Sequence, residues 1–158
     1  MDEEGGRRRA HRVRVSFMSS RVRQRHGCEH LLTIPEGLRL EPHEVATGRV
    51  RAEYGFRVQF RVPVFGDHMK NPDAFIDGEL WEFKAPKGSS EKNTIADQFK
   101  RAGKQAKNLV LDLRRCDLPD DVSIDQAQWR FHGQTKLIRL IVIDHLENLT
   151  RHEHTGML

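Results

Sequence analysis

Three side chains in the run NPDAFIDGELWEFKAPKG have the types and spacing for phosphodiester chemistry: Asp73, Glu82 and Lys84. Glu82 and Lys84 stand two apart in an alternating segment, so on a strand they share one face while Trp81 and Phe83 take the other. Asp77-Gly78 is a tight-turn signal, and a hairpin there brings Asp73 back beside Glu82 at cross-strand distance. Two converging carboxylates with the Phe83 carbonyl alongside make an all-oxygen pocket suited to Mg²⁺ or Mn²⁺ rather than to a thiolate-bound metal. Such an ion lowers the pKa of bound water and neutralises charge growing on a phosphodiester. Lys84 is then placed to orient water or hold a phosphate oxygen. A metal-free alternative draws on His43, His68, Lys84, Lys87, Ser89, Ser90 and Thr94, which supply proton donors and acceptors for attack by a ribose 2′-OH. A third reading is a nucleic-acid binder without catalysis, which leaves the paired acids without a role.

The elements that must position these groups are legible from periodicity. Pro42 opens a helix through HEVATGRVRAEYG that ends at Gly55. Phe56, Val58 and Phe60 alternate as a strand, and short strands follow at 74–76 and 80–84. A helix spans NTIADQFKRAGKQA, with Ile95, Phe99, Ala102 and Ala106 on one face. The apolar run 108–113 reads as a buried strand, a helix follows with Ser123 as its N-cap, and 137–143 is the most apolar strand. Helices interleaved with strands, one hairpin among them, predict an α/β fold: a mixed central sheet flanked by helices.

Charge divides the chain. Of its 158 residues, the first 25 carry eight arginines and three acids, while the remainder is close to neutral, so the formal net charge of +4 belongs to the arm. Arg7, Arg8, Arg9, Arg12 and Arg14 are candidate phosphate contacts, and the expected organisation is a flexible basic arm at 1–30, a folded domain at 31–148 and a polar tail at 149–158. His152 and His154 fall in that tail, and Trp129 and Phe131 are expected in the core or on a helix face, with stacking on a base as the alternative. Two cysteines, Cys28 and Cys116, are too few for a disulfide framework, and HGCEH lacks the second half of a zinc site. No apolar run is long enough for a membrane span, and the first residues hold no signal-type apolar stretch, so a cytoplasmic setting is expected.

Pro72-Asp73, eight intervening residues and Glu82-Phe83-Lys84 together resemble the PD-(D/E)xK nuclease motif. That resemblance implies a restriction-endonuclease-like αβββαβ core and metal-dependent endonuclease activity. It also implies that Glu44, on the first helix, joins Asp73 and Glu82 at the metal, and that Gln105 serves the site from the helix after the motif. From about Glu41 to Asp144, including PDAFIDGELWEFKAPKG, KQAKNLVLDL and KLIRLIVID, the chain is similar to the C-terminal nuclease domain of bacterial contact-dependent growth inhibition toxins, many of which cleave tRNA. The likeness implies tRNA as the favoured substrate, an immunity protein as a partner and delivery into a target-cell cytoplasm. The Arg-rich arm departs from that family pattern and fits an orphan or mobile-element nuclease as well.

Overall fold

The computed structural model describes residues 12–156. They form eight strands and three α-helices: β1 (Arg12–Met18), β2 (Leu32–Thr33), α1 (Pro42–Glu53), β3 (Val58–Phe60), β4 (Ala74–Ile76), β5 (Glu79–Lys84), α2 (Thr94–Ala102), β6 (Asn108–Asp112), α3 (Asp120–His132), β7 (Arg139–Ile143) and β8 (Leu149–Thr155). All strands join one mixed sheet in the order β1-β8-β7-β6-β5-β4-β3-β2. The expected α/β class is therefore the observed one. β5, β6 and β7 run parallel, linked through α2 and α3, and antiparallel pairs occupy both flanks.

The period-two pattern of the central strands decides which helix covers which face. Leu109 and Leu111 of β6 and Leu140 and Val142 of β7 meet Ile95, Phe99 and Ala102 of α2 and Ala127 and Phe131 of α3. Their neighbours Val110, Ile141 and Ile143 point the other way and pack with Val50 and Tyr54 of α1 and with Trp81 and Phe83 of β5. Gly48 of α1 lies so close to Phe60 that a Cβ there would stand 2.8 Å from its ring, so the missing side chain sets how closely α1 approaches β3.

The expected boundaries at 30 and 149 are displaced. Arg12–Met18, placed in the flexible arm, pairs along its whole length with β8. Further along, Arg23 is held in an ion-pair chain in which it contacts Glu53 and Glu147. Arg114 bonds Glu147 at 3.0 Å and Asp112 at 2.7 Å, and Thr47 donates to Asp112 at 2.7 Å. Arg7, Arg8 and Arg9 lie outside the described residues.

Residues 149–155, expected as a polar tail, form β8 between β1 and β7. The strand escaped an apolar count because two of its buried positions are His152 and His154. Both imidazoles pack on Phe131, with ring centroids 6.1 and 4.4 Å away, and His154 also bonds the Phe131 carbonyl. Trp129, expected in the core or on a helix face, is 74% exposed on α3. That helix begins at Asp120 rather than at Ser123, which is buried in its second turn.

His152 has 0% exposure, and among the described residues neither ring nitrogen has a hydrogen-bond partner. Burial, with the nearby His132, pushes its pKa down from 6.5 to about 4. The unfolded chain protonates this group near pH 6.5 and the folded chain only near pH 4. Its contribution is therefore intact above pH 6.5 and lost as pH falls toward 4, by roughly 2 to 3 kcal/mol. His152→Leu is expected to lose that much less stability than the wild type between pH 7 and pH 4.5 in urea titrations. Equal losses in the two proteins would refute the assignment.

Candidate active site

β5 changes partner in mid-strand. Its pairing with β4 ends at Ala74–Trp81, and its pairing with β6 begins at Glu82–Leu109. Asp73 and Glu82 sit at this fork, where the β4 ladder stops and leaves backbone groups to be satisfied. The Phe83 N–H donates to Asp73 Oδ2 at 2.6 Å, so the acid caps the open ladder. The turn that permits this is the expected one: Asp77 and Gly78 both have positive φ, 49° and 83°, as a two-residue hairpin loop requires.

Glu82 and Lys84 share a face as their spacing dictates, and Lys84 Nζ donates to Glu82 Oε1 at 2.6 Å. The other oxygen, Glu82 Oε2, is buried and has no hydrogen-bond partner among the described residues. Glu82 is only 4% exposed, and burial together with the Asp73 charge pushes its pKa up to about 7 despite Lys84. Burial likewise raises Asp73 above the ordinary carboxylate range, opposed by the Phe83 amide and Lys84. Two desolvated carboxylates in mutual contact are short of positive charge, and a hard cation is the species such a donor set fits.

The adjoining cleft has a volume of about 240 Å³ and is bordered by Asp73, Lys84, His43, Glu44, Thr47 and Gln98, among others. Glu44 thus lies on the cleft, as the motif resemblance implied. Its Oε2 accepts from the Glu41 N–H at 2.7 Å, which ties the carboxylate to the first turn of α1. Among the described residues no three His, Cys, Asp or Glu side chains gather closely enough to hold a metal, so Glu44, Asp73 and Glu82 do not form the three-carboxylate cluster that the motif resemblance implies.

Gln105 is not on the cleft. α2 stops at Ala102, and Gln105 instead accepts from the Asn71 N–H at 2.9 Å, holding the loop that leads into Asp73. The glutamine that borders the cleft is Gln98. Thr47 was also missed, although it stands three residues after Glu44 and so on the same face of α1. Of the metal-free set only His43 and Lys84 border the cleft. Arg12 and Arg14 lie on β1, four strand spacings or roughly 19 Å from β5 across the sheet.

A mixed α/β domain with a carboxylate pair and a lysine at a sheet fork is the class that this geometry defines. The chain belongs to the contact-dependent growth inhibition CdiA C-terminal domain family, which matches residues 70–149 and so takes in Asp73, Glu82, Lys84 and Gln98. That membership places it among the toxin domains of contact-dependent growth inhibition. It is also similar to the solved CdiA-CT/CdiI toxin and immunity complex from Burkholderia pseudomallei, with 26% identity and a TM-score of 0.58 over 76% of this chain and 97% of that one. A search of curated proteins finds no match. Among the described residues no helix is long and apolar enough to cross a membrane.

Proposed function

We infer that this toxin domain is a metal-dependent endonuclease of the PD-(D/E)xK type that hydrolyses phosphodiester bonds in nucleic acid, with tRNA favoured over DNA. The observation that carries the reading is the buried Asp73–Glu82 carboxylate pair, whose Glu82 Oε2 receives no N–H or O–H from any other group among the described residues, at the place where the Pro-Asp and Glu-x-Lys elements meet. Asp73 and Glu82 would hold the cation, Mg²⁺ or Mn²⁺; Glu44 borders the cleft that Asp73 lines, with Glu82 buried behind it. Bound there, the ion supplies charge neutralisation and acidified water. Lys84, already beside Glu82, holds a phosphate oxygen or orients the attacking water. The preference for tRNA is supported by the likeness to family nuclease domains, and the toxin acts after delivery into a target-cell cytoplasm. An immunity protein restrains it, a partnership supported by the toxin and immunity complex to which the chain is similar.

The test is incubation of the purified full chain with tRNA and with duplex DNA, in Mg²⁺, Mn²⁺ or EDTA. Cleavage of tRNA that EDTA abolishes is the expected result. EDTA-resistant RNA cleavage ending in a 2′,3′-cyclic phosphate would replace this reading with acid–base chemistry by His43 and Lys84, the two members of that set on the cleft.

A further inference from the structure

On the far side of α2 from Gln98 lies a second concavity, a groove of about 780 Å³ between α2 and α3. Phe99 and Leu137 give it an apolar floor, Gly103 and Gly133 contribute only backbone, and Trp129 stands at its wall. Lys100, Lys104, Arg130 and Lys136 line it as well. None of its lining residues is acidic, and among the described residues none of these four cations pairs with a carboxylate. The Arg130 guanidinium lies 5.6 Å from the Trp129 ring centre. A large exposed indole over an apolar floor costs solvation unless something flat covers it, and unneutralised cations around it call for an anion. A nucleotide meets both demands at once, with a π-face for the indole and a phosphate for the ammonium groups.

We propose that the α2/α3 groove is a second nucleic-acid subsite, which stacks an unpaired base on Trp129 and holds the flanking phosphates with Lys100, Lys104, Arg130 and Lys136. α2 is the wall common to this subsite and the cleft, since Gln98 borders one and Phe99 and Lys100 the other. A strand crossing the helix is therefore gripped on one side and presented to Asp73 and Glu82 on the other. The substrate this selects is a looped or single-stranded segment rather than a continuous duplex, because a base inside a stacked duplex cannot reach the indole. The inference rests on the reading that the domain acts on nucleic acid, and it does not depend on cleavage.

The experiment measures binding of the full chain carrying Glu82→Gln, in EDTA, to a fluorescent single-stranded RNA 12-mer, the same sequence as DNA, and the RNA duplex. Adding Trp129→Ala is expected to weaken single-strand binding about tenfold and to leave duplex binding within twofold, while Trp129→Phe restores most of the loss. The Lys100→Gln/Lys104→Gln pair is expected to reduce the single-strand salt slope by about 1.4. Trp129 is exposed, so unchanged thermal midpoints should accompany these effects. Single-strand affinity and salt slope unchanged in all three variants overturn the subsite, as does an equal loss on duplex and single strand after Trp129→Ala. Groove-dependent binding by a wild-type chain that cleaves nothing would sink the endonuclease reading alone. Metal-dependent cleavage with groove-independent binding would sink the subsite alone.

Discussion

Glu82→Gln and Asp73→Asn are each expected to lower the rate of the proposed Mg²⁺-dependent cleavage at least about 100-fold while the domain stays folded. The size follows from what is removed: each change keeps the side-chain shape but deletes a negative charge where the proposed cation would bind, the kind of electrostatic contribution whose loss costs two or more orders of magnitude. The stability readout separates this from unfolding, because Glu82→Gln should move it upward. Burial and the Asp73 charge hold the Glu82 carboxyl up at about 7, against 4.5 in the unfolded chain. Without metal, its contribution is full below pH 4.5 and lost as pH rises through 7. At pH 8 in EDTA the wild type carries a buried charge that the glutamine variant lacks, so Glu82→Gln should be more stable by on the order of 2 kcal/mol. That advantage should vanish near pH 4. Lys84→Ala leaves both carboxylates in place, so it should impair cleavage and retain Mn²⁺ binding. Cleavage rates, thermal midpoints and Mn²⁺ affinity on the three variants check these expectations. Wild-type cleavage by folded Glu82→Gln and Asp73→Asn would end the metal-nuclease reading.

Trp81→Ala, one residue from Glu82 and on the opposite face, is expected to act through folding alone. The indole is 2% exposed and packs in the cluster shared by α1, the β3–β5 strands and the central sheet. Removing it leaves a cavity in that cluster, for a cost of about 3 to 5 kcal/mol in urea unfolding at pH 7. Trp81 Nε1 is buried without a hydrogen-bond partner among the described residues, so the side chain is held by area and shape. Trp81→Phe, which deletes the unpartnered N–H along with some volume, should therefore cost less than half as much as alanine. Under conditions where both variants remain folded, cleavage should stay within a few-fold of wild type. A loss of cleavage as large as that of Glu82→Gln in folded Trp81→Phe would contradict the division of labour between the two faces of β5.

What the sequence determined by itself is the local part of this molecule. Period two put Glu82 and Lys84 on one face and Trp81 and Phe83 on the other; Asp77-Gly78 specified the turn; and Pro42 marked where α1 begins. Each of these depends on interactions within a few residues, which chain geometry enforces. The class of the fold was legible for the same reason, since the apolar runs within β6 and β7 are too short for helices and alternate with helical segments along the chain.

The tertiary structure alone decided the rest. β1 and β8 find each other across 143 residues, and the positions they bury include imidazoles whose polarity hides the strand from any apolar count. Gln98 borders the cleft and Gln105 does not, α2 ending at Ala102 before Gln105 is reached. The carboxyl of Glu82 titrates near neutrality only because the fork in the sheet takes it out of water beside Asp73. Desolvation is a property of the surrounding atoms, and no spacing of residue types along the chain specifies those atoms.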